Sequence, residues 1–551
     1  MKVLRTIGAL AAVVMFSLTS AVPASADSGP GHEDGHGPSP VLRWTTLGPV
    51  AGVDEHREHG TYSWLGIPYA EPPLGDLRWK PPVTHTRWSA PQVADEYGAG
   101  CSQPGRFFSP SPNGPHYDLD VREGLGRPVG EEDCLTVNIH RPATAKKNLP
   151  VVVFVHGGSN VVGYSADPMY DGRTLAEQAE AVVVTINYRI GLFGWLDLAQ
   201  YDTGDPEADS GNFGLLDQIE ALRFARDNAR AFGGDPRNVT IMGESAGAVN
   251  VWGLMVSPLA RGLYHKAIPM SGGLSTTTPE EARAYAEDLA SAAAKDAGAD
   301  GVEEGARLME QMSDDELVRL ALRHGLDATP AVIADGTVIP EDPYAALGDG
   351  SNRNVPVLAG NTLEEGKLFG AAIGAHPQSD YERFTMQYEF DPDKPSPWGI
   401  EEFIDERYLP VDAPGGWNEE SAALTEQVFL GIAEDSMTTL QESGNRNVYY
   451  YQFAWDGQPE PFNEVYGSVH ALDLPFVFGN FERNVFSYAF STADEPGRLD
   501  LSGQMIGAVE RFVRTGNPQT GRLPVRWRQW PNSVVFDADA HRARITTGSF
   551  H

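Results

Sequence analysis

The sequence predicts an α/β protein built around a central, mostly parallel β-sheet, and three observations carry that reading. Short apolar or β-branched runs recur along the chain, segments of helical periodicity separate them, and two of the runs lead directly into glycine-containing turns. Runs of this kind are what strands buried on both faces look like, and strands that alternate with helices pack as layers around a parallel sheet.

In chain order, the runs at 151–155, 181–186, 239–242, 355–358 and 448–453 read as strands. Over 215–232, Leu215, Ile219 and Leu222 share one helical face, with Asp217, Glu220, Arg223 and Asp227 largely elsewhere. Gly233-Gly234-Asp235-Pro236 then stops the helix. Residues 274–325 are rich in Ala, Glu and Leu, and 376–445 carry few strand signals. Both read as helical insertions over one end of the sheet, where a gorge would form. With no internal repeat and no break in composition after residue 41, residues 41–551 read as a single domain.

A chain of 551 residues, 41% of them hydrophobic, buries a large core. Its 76 Asp and Glu outnumber 41 Lys and Arg, for a formal net charge of -35. Such a surface repels nucleic acid and anionic headgroups, so no nucleic-acid partner is expected. Lys2 and Arg5, an apolar run over 7–18 and then Ala24-Ser25-Ala26 have the layout of a signal peptide over 1–26, cleaved before Asp27. The mature protein is therefore expected to be secreted. The run is shorter than the ~20 residues of a membrane span, and no later stretch reaches that length without charges, so no membrane insertion is expected after cleavage. Residues 27–40 are too polar to order themselves and read as a flexible tail, in which His32 and His36 are solubilising rather than metal ligands. The only cysteines, Cys101 and Cys134, are expected to pair once exported, two buried thiols being the alternative.

Chemistry concentrates at Gly243-Glu244-Ser245-Ala246-Gly247. Alone, this G-x-S-x-G pattern is weak. Here the strand 239–242 runs straight into it and a helical stretch over 246–256 follows, the setting in which a serine hydroxyl is held exposed at a strand tip. The N–H of Ala246 is then free at a helix start to receive an oxyanion. A second donor is expected after 151–155, where the chain continues His156-Gly157-Gly158-Ser159. A plain glycine turn without chemistry is the alternative for that loop, and His156 reads as its brace.

At these residues the sequence resembles the type-B carboxylesterase family, which includes cholinesterases and bacterial p-nitrobenzyl esterases. Further blocks carry the resemblance: Gly66-Ile67-Pro68-Tyr69-Ala70, Glu132-Asp133-Cys134-Leu135-Thr136-Val137-Asn138, Asn187-Tyr188-Arg189, Gly211-Asn212-Phe213-Gly214 and Phe232-Gly233-Gly234-Asp235-Pro236. Toward the C-terminus lie His470-Ala471-Leu472-Asp473-Leu474-Pro475-Phe476 and Arg514-Thr515-Gly516-Asn517-Pro518. The resemblance implies an α/β-hydrolase fold and hydrolysis of a small-molecule ester through an acyl-enzyme, with no metal or organic cofactor. It implies Ser245 as nucleophile, His470 as base and Glu365, in Glu364-Glu365-Gly366, as acid, with Asp335 or Asp473 as alternatives. It also implies an oxyanion hole of Gly158, Ser159 and Ala246, supporting roles for Glu244 and Ser271, and a Cys101–Cys134 disulfide.

The chain departs from the family pattern at Ser159, where a third glycine is usual, and at Asn160, where an aromatic often follows. If the backbone there is left-handed, serine adds roughly 1 to 2 kcal/mol of strain. Asn160 is expected to make the pocket floor more polar. Phe224 and His140 read as packing changes. Residues 102–133 hold no tryptophan for a quaternary ammonium, although Phe107, Phe108 and Tyr117 offer aromatic faces. Carbamate or amide hydrolysis by the same residues, and a non-catalytic binding role, stay open at this point.

Overall fold

Valines with every second side chain on the same face explain the centre of the sheet. In the strand Leu149–Val155 all seven residues are buried, with Val151, Val153 and Val155 in one core and Val152 and Phe154 in the other. The computed structural model describes residues 40–114 and 117–550. The predicted signal peptide and the tail residues up to 39, with His32 and His36, lie outside the described residues. Pro40–His551 clusters as one compact unit.

The main sheet among the described residues has eleven strands. In chain order they are β1 (Val53–Glu55), β2 (Thr61–Pro68), β3 (Thr136–Pro142), β4 (Leu149–Val155), β5 (Val182–Ile186) and β6 (Gly234–Glu244). Then come β7 (Lys266–Met270), β8 (Val357–Thr362), β9 (Val448–Phe453), β10 (Asn532–Ala538) and β11 (Ala543–Ser549). Their spatial order is β11-β10-β9-β8-β7-β6-β4-β5-β3-β2-β1. Pairing is parallel from β5 across to β10 and antiparallel at both flanks.

All five predicted strands are present. The sequence reading missed β7, whose five residues are all buried, because Lys266 and Pro269 interrupt its apolar run. It also missed the flanking strands. β3, for example, buries Asn138, His140 and Arg141, which read as polar, and His140 Nδ1 finds Ser63 Oγ at 2.8 Å.

The helix predicted over 215–232 is α1 (Phe213–Asn228) followed by a 3-10 turn, and Gly233 at φ 83° ends it. Its polar positions are only partly solvated: Asp227 is exposed and Arg223 half-buried, but Glu220 and Asp217 are buried. Asp217 is fully buried and meets Arg189 through Nε at 2.8 Å and Nη2 at 2.7 Å, which is what allows a carboxylate inside the layer. α2 (Ala246–Val256) follows β6. The first predicted insertion is α3 (Pro279–Asp296), α4 (Val302–Met309) and α5 (Asp314–His324). The second contains α6 (Asp380–Glu389), α7 (Trp417–Thr425) and α8 (Gly431–Glu442). Cys101 and Cys134 form a disulfide. No helix among the described residues is long and apolar enough to cross a membrane.

Candidate active site

β6 ends at Glu244 and α2 starts at Ala246, so the whole reversal falls on Ser245, with φ 57° and ψ -125°. A non-glycine residue rarely holds this conformation, and surrounding contacts must enforce it. The Ser245 N–H donates to the Met270 carbonyl at 2.9 Å on β7, and both flanking glycines are sterically required. A Cβ on Gly243 would strike the Gly247 carbonyl, and one on Gly247 the Val155 carbonyl. At the tip of β7, Ser271 has φ 54°, a buried hydroxyl without a partner and an N–H that donates to Gly360 O at 2.7 Å.

The loop after β4 lies against this turn, since a Cβ on Gly157 would sit 3.0 Å from that of Ser245. Gly158 has φ 101°, and Ser159 and Asn160 both have φ 57°. The left-handed backbone that favours glycine is therefore required at Ser159. Among the described residues no acceptor takes the N–H of Gly158, Ser159 or Ala246. Three donors thus remain free, the last at the positive end of α2.

Asn160 corrects an expectation. It does not line the cavity floor but turns inward, 2% exposed, and exchanges amide hydrogen bonds with Asn250 of α2 at 2.7 and 3.2 Å. The Tyr188 hydroxyl donates to the His156 carbonyl at 2.7 Å and lies 3.3 Å from Asn160 Oδ1. This polar knot ties the donor loop to α2. His156 stacks on Tyr188, and burial lowers its pKa to about 4, so it is a neutral brace. Asn250 carried no sequence signal, and Tyr188 stood in a family block without an assigned role.

Glu365 follows β8 and is fully buried. One carboxylate oxygen accepts the Thr362 N–H at 2.8 Å, and the other meets His470 Nδ1. Their loops are clamped beside the pair. The Glu364 N–H donates to Ser468 O at 3.1 Å, and its carboxylate accepts the Ser468 N–H at 2.8 Å. Phe369 and Phe429 pack on the imidazole, with ring centroids at 5.1 and 4.7 Å. The alternative acids are engaged elsewhere. Asp335 accepts the N–H groups of Thr337, Val338 and Ile339, and Asp473 accepts from the Tyr451 hydroxyl at 2.7 Å.

The other imidazole nitrogen, Nε2, lies 3.1 Å from Glu244 Oε1, and no hydrogen bond joins it to the Ser245 hydroxyl. Burial raises the Glu244 carboxyl to about 8, against the pull of His470. Burial lowers His470, but Glu244 and Glu365 outweigh it and raise the imidazole to about 9. The two groups thus face each other as a buried ion pair, and the attraction of the carboxylates holds the proton on the imidazole.

Ser245, His470, Gly158 and Ser159 open into a cavity of about 240 Å³ with largely apolar walls, including Phe107 and Phe108. Tyr117 does not reach it, being buried against Phe384 and Tyr388.

Known proteins resemble this chain over most of its length. Residues 38–545 match the carboxylesterase family. The chain is 36% identical over 510 residues to the para-nitrobenzyl esterase of Bacillus subtilis (strain 168), covering 90% of this chain and 94% of that protein. A solved PNB esterase superposes with a TM-score of 0.73 at 32% identity, over 92% of this chain and 97% of the other. The Geobacillus stearothermophilus carboxylesterase gives 0.72 at 30%, over 93% and 98%. Both the sequence and the α/β-hydrolase architecture thus lead to one conclusion: the chain belongs to the carboxylesterase family and is a carboxylic ester hydrolase.

Proposed function

We propose that the protein is a secreted serine esterase that cleaves small-molecule carboxylic esters through an acyl-enzyme on Ser245. Nε2 of His470 exchanges Glu244 for the Ser245 hydroxyl and takes its proton as the oxygen attacks the ester carbonyl. Glu365 holds Nδ1–H and stabilises the imidazolium. The oxyanion of the tetrahedral intermediate accepts from Gly158, Ser159 and Ala246, each donor being worth roughly 3 to 4 kcal/mol. His470 protonates the departing alcohol. Water then attacks the acyl-enzyme by the same route, releasing the acid and restoring the serine.

The observation that carries this reading is the convergence, beside one cavity, of a strained, half-buried serine that lines it, three unpaired N–H groups and a histidine bonded to a buried carboxylate. Ser245→Ala is expected to abolish turnover of p-nitrophenyl butyrate, and a variant that kept most activity would refute the assignment. Export rests on the layout of residues 1–26 and fits the Cys101–Cys134 disulfide. N-terminal sequencing of exported protein is expected to begin at Asp27. A sequence starting at Met1 contradicts the proposal.

A further inference from the structure

Arg383 of α6 combines two properties that rarely coincide. It is 4% exposed, yet it lines the cavity into which Ser245 opens. A buried guanidinium ordinarily needs a close carboxylate, because an uncompensated charge is costly away from water. Two other buried arginines obey this, and a third, Arg141, is held instead by the carbonyls of Pro142, Thr144 and Lys146. Arg189 meets Asp217 at 2.7 Å, and Arg498 meets Asp494 at 2.7 Å.

Arg383 does not. The one carboxylate within ion-pair reach among the described residues is Asp380, 3.8 Å from Nη1 and itself 66% exposed, so solvent screens it. Nε has no partner at all. Cζ lies 5.1 Å from the centre of the Phe107 ring, so one of the aromatic faces available to a substrate cation is already covered by a cation. Arg106, which also lines the cavity, is exposed and paired with Asp327. Arg383 is thus the buried cation of the cavity, and its only counter-charge within reach among the described residues is the distant, exposed Asp380, which lines the cavity too.

We propose that Arg383 is an anion subsite, and that the esters selected by this cavity carry a carboxylate, as half-esters of dicarboxylic acids do. The guanidinium supplies donors in a planar fork that suits a carboxylate, and apolar walls strengthen the pairing. The net charge of the surface discourages anions at long range, so the selection is made inside the cavity. The proposal rests on ester hydrolysis at Ser245.

The test compares monomethyl succinate, adipate and suberate with methyl esters of monocarboxylic acids of matching length. A second series compares acetyl esters of ω-hydroxy acids with acetyl esters of plain alcohols, placing the charge on the alcohol side. In one of the two series the wild type is expected to favour the charged ester in kcat/KM by about tenfold or more, the size of one charge-assisted hydrogen bond. Arg383→Gln is expected to lower that charged-to-neutral ratio by a similar factor, and Arg383→Lys by less. Charged esters that are no better than neutral ones at every length in both series overturn the subsite. So does a ratio that Arg383→Gln leaves unmoved. The wild-type comparison stands even if a variant fails to fold, and failure of the esterase reading would look different, as no turnover of any ester.

Discussion

Glu244 and His470 face each other as an ion pair, with Oε1 3.1 Å from Nε2, and no hydrogen bond joins either to the Ser245 hydroxyl. The imidazole therefore rests between two buried carboxylates, Glu244 and Glu365, and holds its second proton to about pH 9. Protonated Nε2 accepts nothing from serine, so kcat/KM for a neutral ester should fall as pH drops below that value. Glu244→Gln removes one of the two charges that raise the imidazole, and the acid limb of the profile should move to lower pH. A limb that stays in place would show that Glu244 does not control the base.

The opposite side of the ring makes a sharper demand. Glu365→Gln keeps the shape but presents an amide that can favour the wrong imidazole tautomer. By analogy with the serine-protease triad, kcat for p-nitrophenyl butyrate should fall by about 10³- to 10⁴-fold. Asp473→Asn should cost far less, because its carboxylate serves Tyr451. Equal losses in the two variants would undo the assignment of the acid.

Asn250→Leu should separate loop geometry from substrate binding. It leaves the buried Asn160 amide without its partner, a loss of about 1 to 3 kcal/mol in urea unfolding. Because Asn160 adjoins the donor Ser159, kcat should fall while KM moves little, the pattern of an interaction made chiefly in the transition state. A rise in KM at constant kcat would instead place the knot in substrate binding.

Ser159→Gly should relieve the left-handed strain at φ 57° without removing the donor N–H. The gain is offset by glycine's greater freedom in the unfolded chain, so the net stabilisation should reach at most about 1 kcal/mol. A denaturation midpoint that drops would mean that the serine side chain contributes more than its backbone costs.

How far the sequence could be read depended on whether a residue's role is local. The run over 151–155 announces a strand because every position is apolar, and Gly243 and Gly247 announce a turn because any Cβ there collides with a carbonyl. β7 hid behind Lys266 and Pro269, and α1 looked amphipathic because nothing near Asp217 in sequence reveals Arg189 across the fold. Glu365 and His470 are 105 positions apart, so only the resemblance could bring them together. Asn160 was misread as pocket floor because its partner, Asn250, lies 90 positions away. Arg383 escaped notice altogether, since a lone arginine in a helical insertion acquires meaning only from the cavity it borders.

The proposed function requires the Ser245 hydroxyl oxygen to carry the acyl group. Intact-mass measurement after treatment with a fluorophosphonate, followed by peptide mapping, tests it directly. One adduct per chain, located on Ser245 and formed as ester turnover disappears, is the predicted result. An adduct on another residue with Ser245 unmodified, or full inactivation with no adduct on the chain, would contradict it.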